Sequence, residues 1–455
     1  MTNEASAANR IKGVRALALW GVAVASCGAA PAPASGVTSR QAADAAARAT
    51  ALYDALHAAP ELSLQEAKTA ARLAQELQKL GFEVHQSVGG HGVVGLLRNG
   101  PGKTFMLRTD MDALPVEEQT GVEGQSRVHA KDDQGNDVPV MHACGHDLHM
   151  AAWVGTAELL SQRRAAWTGT LMLVAQPAEE RLMGARAMLN DGLFKRFPKP
   201  DLAFAIHVHD QLALGSVGYT EGPFAASADS LDLEVHGRGG HGAYPQSAID
   251  PVVIAARIVT ALQTIASREN NPFEPVVVSV GSIHGGSKHN TIPDSVKLQL
   301  TVRTYGVETR KRVLAAIKRI ADAEAAAAGA PRPPTLNVTE GTAAAVSDPE
   351  QTRAAVAALR ATLPAGALVE LPPEMGSEDF GEYGSAGVPS VMLQVGVVEP
   401  GRFAAAKAKG EALPSIHSGL FLPAPGSLAQ AIQVESNVAL AFLSKSTTKA
   451  PPSAK

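Results

Sequence analysis

Short apolar runs that alternate with helical stretches constrain the fold more than any other feature of this sequence. An Ala-rich stretch from Gln41 to Leu80 has helical spacing, is interrupted at Pro60 and ends at Gly81, which predicts two helices. Later runs have the length and aliphatic content of buried strands, and they are Thr104–Arg108, Leu171–Gln176, Leu202–His207 and Ser390–Val395. Strands that alternate with helices predict an α/β layered domain.

Between about Ala225 and Ala343 the pattern changes. Strand-like runs there are interleaved with two long helical runs, in the order Leu231–His236, Pro251–Ala266, Val276–Val280, Val296–Arg303 and Glu308–Ala328. Glycine and proline at the edges suit hinges, and 455 residues suffice for two domains. We therefore expect an α/β domain formed by residues 39–224 and 344–443, with an α+β unit of residues 225–343 inserted into it.

The start of the chain has the layout of an export signal. Basic residues between positions 10 and 15 precede an apolar run, Ala16–Ala25, that is too short to span a bilayer comfortably. The segment Val24–Cys27 resembles the bacterial lipobox, so we expect residues 1–38 to direct export to the bacterial periplasm, with a lipid attached to Cys27. The alternative is cleavage at the Ala-Pro-Ala stretch after Cys27, which gives a secreted protein without a lipid.

Composition narrows the partners of the folded body. The formal net charge is -4 and the pI is near 6.4, and no long stretch is dominated by Lys or Arg, so no nucleic-acid footprint is visible and small polar substrates fit better. Residues 444–455 are rich in Lys, Ser, Thr and Pro and are predicted to be a disordered tail. With Cys27 in the exported segment, Cys144 is the only cysteine of the body, which excludes an intramolecular disulfide.

Polar residues that could catalyse a reaction or bind a metal follow the predicted strands. Asp110 and Asp112 follow the first strand, Glu179 and Glu180 follow the second, and His207 ends the third. Ligands of open α/β sheets bind beyond the carboxyl ends of the strands, so these side chains are expected to meet at one site. This pattern is typical of an enzyme rather than of a scaffold.

The densest polar group is Met141–His149, which contains three His, one Cys and one Asp. Cys144 and His146 point in the same direction only in extended or loop backbone, and a thiolate and an imidazole together suit a divalent ion such as zinc. The alternative is a buried thiol beside an ordinary polar loop. The adjacent acids Glu179 and Glu180 also allow two explanations, a metal ligand beside a water-holding carboxylate or a pair that complements a helix dipole.

Eight sequence blocks occur in a fixed order between Tyr53 and Leu443. They are His57–Glu66 (HAAPELSLQE), Leu107–Val116 (LRTDMDALPV), Met141–His149 (MHACGHDLH), Gln176–Glu180 (QPAEE), Gly239–Pro245 (GGHGAYP), His289–Asp294 (HNTIPD), Gly376–Phe380 (GSEDF) and Ile416–Ser418 (IHS). In this order they resemble the co-catalytic zinc metallopeptidases, in particular the branch of hippurate hydrolase, N-acyl-L-amino acid amidohydrolase and indoleacetyl-amino-acid hydrolase. The resemblance implies a three-layer, phosphorylase/hydrolase-like catalytic domain with an inserted ferredoxin-like lid and dimerisation domain.

The resemblance also implies two divalent ions per subunit, zinc first, with manganese or cobalt as alternatives. Cys144 would bridge the ions, and the remaining ligands would be His146, Glu180, His207 and His417. Glu179 would be the general base for water that attacks the amide carbonyl of an N-acylated amino acid, and Asp112 would orient a ligand. A dipeptidase or carboxypeptidase with the same metal centre is the alternative.

The same resemblance implies roles for three residues of the insert. His241 matches a histidine that stabilises the oxyanion, often from the opposite subunit, although a loop histidine hydrogen-bonded beside glycines is the alternative. Asn290 and Arg303 match positions that hold substrate, and a guanidinium fork suits a free α-carboxylate. A homodimer through the insert is expected, because a two-fold pairing would bring His241 near the metals of the partner.

Some positions depart from the pattern of the relatives. His91 stands where relatives usually have a small hydroxyl residue, and His209-Asp210 stand where many have an apolar residue and a proline. Both are expected near the site, either as pocket residues or as neutral polar surface. His142 and His149 are expected to support the metal loop, but their spacing also allows one of them to replace His146 as a ligand.

Two other functional classes are compatible with part of this pattern. A catalytically silent binding protein is disfavoured, because it would be expected to have lost some of the catalytic and metal-binding positions. A cysteine-nucleophile hydrolase built on Cys144 and a histidine remains an alternative, and it predicts activity that survives a chelator but not alkylation.

Overall fold

The computed structural model describes residues 36–444, so the predicted export signal, its lipid site Cys27 and the tail beyond Ser444 lie outside the described residues. The helices, numbered in chain order, are α1 (Ser39–His57), α2 (Ala67–Lys79), α3 (His146–Gln162), α4 (Gly184–Asn190), α5 (Leu193–Arg196), α6 (Pro251–Thr264), α7 (Val307–Ala327), α8 (Pro349–Arg360), α9 (Gly381–Ser385), α10 (Pro400–Lys409) and α11 (Ser427–Phe442). Among these described helices none is both long and apolar enough to cross a membrane.

The strands, numbered in the same way, form one large sheet, one medium sheet and three short ladders. They are β1 (Glu83–Val88), β2 (Gly92–Asn99), β3 (Thr104–Asp110), β4 (His129–Lys131), β5 (Asp137–Pro139), β6 (Gly169–Gln176), β7 (Leu202–Ala213), β8 (Val217–Tyr219), β9 (Gly222–Ala225), β10 (Ser227–His236), β11 (Gly240–His241), β12 (Val276–His284), β13 (Thr291–Ile292), β14 (Ser295–Thr304), β15 (Thr335–Thr342), β16 (Ala345–Ser347), β17 (Leu368–Glu370) and β18 (Ser390–Val398).

The large sheet has the order β1-β2-β6-β3-β7-β18-β8-β17, and its four central strands β6, β3, β7 and β18 are parallel. Every residue of β3 is buried, as expected for a parallel strand covered on both faces. Phe105 and Leu107 pack on one face with α1, α2, α3 and α11, whereas Met106 packs on the other face with residues of α4, α5 and α9. The predicted three-layer α/β architecture is therefore confirmed.

The insert forms a second layered unit with its own core. Its elements follow the order β10-α6-β12-β14-α7-β15, and the antiparallel sheet has the order β12-β14-β10-β15, which is a ferredoxin-like topology. Strand β14 alternates strictly: Val296, Leu298, Leu300 and Val302 are buried against the helices, whereas Arg303 lies on the opposite face. Outside the insert β9 pairs with β16, so the chain enters and leaves the insert through neighbouring strands.

Two details differ from the sequence prediction. The strand predicted to end at His207 continues to Ala213, because its parallel ladder with β18 runs on to the pair Ala213 and Val398. His207 therefore lies within β7 rather than at its end. Val37, inside the predicted linker, is buried and its N–H donates to Asn437 Oδ1 at 2.7 Å, so the folded body includes residues that precede α1.

A buried carboxyl group in α11 makes the stability of this fold depend on pH. Glu435 is 1% exposed, and Thr156 Oγ1 donates to its Oε2 at 2.7 Å. Burial, only partly offset by that hydrogen bond, raises the pKa of Glu435 from 4.5 to about 8. The folded protein therefore binds a proton that the unfolded chain releases above pH ~4.5, and the free energy of unfolding falls as the pH rises towards 8.

We expect Glu435→Gln to stabilise the protein above pH ~5, because the amide keeps a hydrogen-bonding partner for Thr156 but cannot ionise. A pKa change of one corresponds to about 1.4 kcal/mol, so the gain at pH 8 should reach about 3–5 kcal/mol and should vanish near pH 4. Urea unfolding at several pH values measures it, with the surface variant Glu158→Gln as the control that changes little. Equal destabilisation at pH 5 and pH 8 would show that Glu435 is ionised and paired.

Candidate metal centre

Four chain segments bring metal-binding side chains to the carboxyl edge of the large sheet. Cys144 comes from the loop that enters α3 and His146 is the first residue of that helix, while Glu180 comes from the turn after β6, His207 from β7 and His417 from the loop before α11. Gly145 between the first two has φ +80°, and a Cβ there would lie 2.9 Å from a Val208 methyl carbon, so glycine is required for this approach.

The five predicted ligands fall into two groups that share one atom. The candidate ligand atoms of Cys144, His146 and His207 lie within 4.8 Å of one another, and so do those of Cys144, Glu180 and His417. The thiol of Cys144 is 3.5 Å from His207 Nε2, and His417 Nε2 is 3.6 Å from a carboxylate oxygen of Glu180. Cys144 therefore belongs to both triads, which is the arrangement that a bridging ligand needs.

Backbone carbonyls orient the imidazoles of the first triad. His146 Nδ1 donates to the carbonyl oxygen of Asp112 at 2.8 Å, and His207 Nδ1 donates to that of Val208 at 2.7 Å. Both rings therefore use Nδ1 for the protein and leave Nε2 for an ion in the triad with Cys144, as metal-ligating histidines do. His417 adopts φ +65°, a conformation uncommon for a residue with a Cβ, and its N–H donates to the carbonyl of Ala143.

The charges of the site also fit bound cations. His146 Nε2 and Glu180 Oε1 are buried without a hydrogen-bond partner among the described residues. The region holds one buried guanidinium and six carboxylates: Arg108 pairs with Asp110, Glu378 and Asp379, whereas Asp112, Glu179 and Glu180 lie within 3.9 Å of His146. Burial raises the pKa of Glu180 to about 7 despite the nearby His146. A site with this excess of negative charge and with soft and borderline donors suits divalent transition metals.

The turn that carries Glu179 and Glu180 is held by Asp112. Its carboxylate accepts the N–H groups of Glu179 at 3.1 Å and Glu180 at 3.0 Å, while its backbone carbonyl oxygen accepts the hydrogen bond from His146 Nδ1. Asp112 therefore contacts the ligand histidine mainly through the main chain. At Gly184 a Cβ would lie 1.5 Å from the carbonyl oxygen of Pro177, so the turn requires glycine at this position.

A buried network behind Glu179 was not identified from the sequence. Arg108 donates to Asp110 Oδ2 at 2.6 Å, to Glu378 Oε1 at 2.8 Å and to Gln176 Oε1 at 3.1 Å, and Gln176 donates to Asp379 Oδ1 at 2.6 Å. Burial, followed by repulsion from Glu378, raises the pKa of Glu179 well above its ordinary value. The available signals were an arginine inside the apolar run Thr104–Arg108 and the acids of the GSEDF block.

A cavity of about 620 Å³ opens in front of the two triads. Its walls come from both parts of the chain and include Arg303 and Thr301 of β14, together with His209 and Asp210 of β7. His241 and Asn290 do not line this cavity; both are exposed on the insert, where His241 lies on β11 and Asn290 precedes β13.

The remaining histidines can be placed from their contacts. His149 Nδ1 donates to Asp110 at 2.7 Å and its Nε2 accepts the N–H of Val208 at 3.0 Å, so neither nitrogen is free to bind metal. His142 is buried outside both triads. His91 lies in the turn between β1 and β2 and does not line the cavity, which favours neutral polar surface over a role in the pocket. His209, in contrast, lines the cavity 3.5 Å from Glu374.

Comparison with known proteins agrees with this geometry. The model of peptidase family M20/M25/M40 matches residues 106–415. A relative named thermostable carboxypeptidase 2, from Saccharolobus solfataricus, is 37% identical over 335 residues, which is 72% of this chain and 80% of that protein. A relative named hippurate hydrolase, from Campylobacter jejuni, is 41% identical over 260 residues, which is 56% of this chain and 64% of that protein.

A solved structure extends the likeness to the whole fold. The YxeP protein of Bacillus subtilis, described as a dinuclear metal-binding peptidase of the M20 family, superposes with a TM-score of 0.72 at 29% identity and covers 88% of this chain and 99% of its own. The family model spans more than half of the chain, and the resemblance seen in the sequence blocks is confirmed. The chain therefore belongs to peptidase family M20/M25/M40 and is a hydrolase.

Proposed function

We propose that this protein hydrolyses the amide bond of N-acylated amino acids with two divalent ions and Glu179 as the general base. The observation that carries the proposal is the position of Cys144 in two triads of ligand atoms, with Glu179 beside them. The carboxylate of Glu179 lies 3.9 Å from His146 Nε2 and faces the same cavity as the triads. The relatives named hippurate hydrolase and carboxypeptidase support an amide next to a free carboxylate as the substrate.

The residues of the chain divide the reaction between them. Cys144, His146, Glu180, His207 and His417 would hold the ions, which when bound supply a Lewis acid and an acidified water. Glu179 takes the proton of the attacking water and returns it to the departing nitrogen, a role helped by its burial and by the neighbouring carboxylates, which raise its pKa. Asp112 keeps Glu179 and Glu180 in place through their N–H groups.

Arg303 is positioned to bind the carboxylate of the substrate. Its guanidinium donates to Thr301 Oγ1 at 3.2 Å and to the hydroxyl of Ser377, and no carboxylate of the described residues forms an ion pair with it. Burial lowers the pKa of Arg303, but the group stays charged at neutral pH. The charge of Asp229 acts on Arg303, but Asp229 is itself paired with Arg310 at 2.5 Å, so this half-buried cation in the wall of the cavity is suited to a free carboxylate.

We expect Arg303→Ala to raise KM for an N-acyl amino acid by about 10- to 100-fold with a much smaller change in kcat, since a charge-assisted hydrogen bond contributes about 1.5–3 kcal/mol. The matching carboxamide substrate, which lacks the negative charge, should be affected little. Lys297→Ala, on the same face of β14 but outside the cavity, is the control. An equal loss for both substrates would contradict carboxylate binding by Arg303.

A substrate panel with metal analysis tests the proposed function. The metal-loaded protein is offered N-acetyl and N-benzoyl amino acids and dipeptides, and its bound ions are identified by elemental analysis. We expect zinc, with manganese or cobalt as alternatives, and faster release of the acyl group than of an N-terminal residue. Preference for the dipeptides would favour the dipeptidase or carboxypeptidase alternative, and full metal content without hydrolysis of any member would refute the proposal.

We also propose a homodimer formed through the insert. His241 and Asn290 lie at one short antiparallel ladder, formed by β11 and β13, where the N–H of Gly242 donates to the carbonyl of Asn290 at 2.8 Å. Because both residues are exposed and outside the cavity of their own chain, a role in catalysis requires a second subunit. Light scattering that gives a monomer at working concentration would refute this part of the proposal.

Export to the periplasm, with a lipid on Cys27, remains a proposal that rests on residues 1–38 of the sequence. Mass spectrometry of the mature N-terminus decides between its two forms. An unmodified alanine or serine start would exclude the lipid, and an intact Met1 in the native host would exclude processing altogether.

A further inference from the structure

We infer that Glu66 is a positioning residue that fixes the turn carrying Glu179 and Glu180. Glu66 is fully buried, and it stands at the N-cap of α2 without capping that helix through its side chain. Its Oε1 instead accepts two N–H groups, from Leu64 at 2.9 Å and from Ala178 at 2.8 Å. The carboxylate thus joins the loop before α2 to the turn after β6, 112 residues further along the chain.

Both amides that Glu66 accepts belong to residues in an unfavourable conformation. Leu64 has φ +68° and Ala178 has φ +50°, the left-handed region that residues with a Cβ rarely occupy. This region is unfavourable for a residue with a Cβ, because the Cβ lies too close to the following carbonyl oxygen. The hydrogen bond from the N–H of Ala178 to the buried carboxyl of Glu66 offsets this strain at Ala178. Without it, the turn has a more favourable conformation available, in which the side chains that follow would point elsewhere.

Glu66 completes a continuous set of acceptors along the turn. The N–H groups of Ala178, Glu179 and Glu180 are accepted in sequence by two buried carboxylates, the first by Glu66 and the next two by Asp112. Ser63, in the same loop as Glu66, donates to Asp112 Oδ2 at 2.6 Å and so connects the two acceptors. Because these three successive amides are all hydrogen-bonded, the backbone of the turn is fixed, and so are the directions in which the side chains of Glu179 and Glu180 leave it.

The inference rests on the proposed function, in which Glu179 moves protons and Glu180 binds an ion. It predicts that Glu66 acts only as a hydrogen-bond acceptor, since its Oε2 has no partner among the described residues. Glu66→Gln keeps an acceptor oxygen for Ala178 and should preserve function, whereas Glu66→Ala removes it. The negative charge itself is not required.

The test compares these variants in the full-length, metal-loaded protein. For Glu66→Ala we expect kcat to fall about 10- to 100-fold with KM changed less than about threefold, and the affinity for Zn²⁺, measured by competition with a chelating dye, to fall about 10-fold or more. Glu66→Gln should stay within about threefold of wild type in both measurements. If Glu66→Ala does not fold, Glu66→Asp replaces it, because a side chain one methylene shorter loses the contact with Ala178.

Glu61→Ala is the matched control. Glu61 lies in the same loop and accepts the N–H and hydroxyl of Thr69 at 2.8 and 2.9 Å, but it does not contact the turn. This variant should lower the melting temperature without changing kcat or Zn²⁺ affinity. The inference is overturned if Glu66→Ala matches Glu61→Ala in both measurements, or if Glu66→Gln is as impaired as Glu66→Ala. The Zn²⁺ measurement needs no substrate, so it separates failure of the inference from failure of the proposed function.

Discussion

Replacing Glu179 with glutamine is expected to lower kcat by about 10³- to 10⁴-fold while the protein keeps its full metal content. Glutamine is nearly isosteric with glutamate, and the N–H at position 179 still reaches Asp112, so the turn is preserved. The amide cannot accept a proton from water or return one to the leaving nitrogen. The rate should therefore fall by the same factor at every substrate concentration, because kcat falls and KM changes little.

Two neighbouring carboxylates serve as controls for this prediction. Glu180→Gln should lose metal together with activity, because Glu180 belongs to a ligand triad. Glu374→Gln changes a half-exposed carboxylate in the wall of the same cavity and should keep kcat within a few-fold of wild type. Elemental analysis of each purified variant accompanies the kinetics. If Glu179→Gln loses its ions in proportion to its activity, Glu179 is a ligand rather than the base.

In the large sheet, the strands that sequence reasoning found are the buried central ones, β6, β3, β7 and β18. β6 contains the apolar run Leu171–Ala175 and β3 the shorter run Phe105–Leu107, so both runs stand out from the surrounding sequence. β1 and β15 were missed because they lie at sheet edges and mix polar with apolar residues, and their pairing partners decide their conformation. The extension of β7 beyond His207 likewise depends on β18, a strand distant in sequence.

The residues of the candidate site also differ in how far the sequence alone could predict them. Cys144 and His146, and the pair Glu179 and Glu180, were visible as chemistry because they are neighbours in sequence. His417 and Arg303 could be proposed only through resemblance to a family, since nothing local indicates that they approach the same cavity. Glu66 escaped because its link to the site is one contact with a distant backbone amide, that of Ala178, and such contacts leave no periodic pattern.

Removal of the ions by a chelator is expected to lower the activity by more than about 10³-fold, and added zinc or manganese should restore it. The same treatment should lower the melting temperature, because ligands that bind only the folded state stabilise it by about 2.7 kcal/mol at a concentration of 100 Kd. The ions would also neutralise repulsion among the carboxylates around Arg108. A melting temperature insensitive to the chelator would mean that the two triads hold no ion in the native protein.

Alkylation then separates the metal centre from a cysteine nucleophile. Burial, followed by repulsion from Glu180 and Glu179, raises the pKa of the Cys144 thiol well above its ordinary value, whereas a nucleophilic cysteine requires a lowered one. In the metal-loaded protein Cys144 should resist iodoacetamide, and after chelation it should react slowly, with activity that no longer returns on adding ions. Peptide mass spectrometry locates the modification. Activity that survives the chelator but is lost on alkylation of the loaded protein would instead assign catalysis to Cys144 itself.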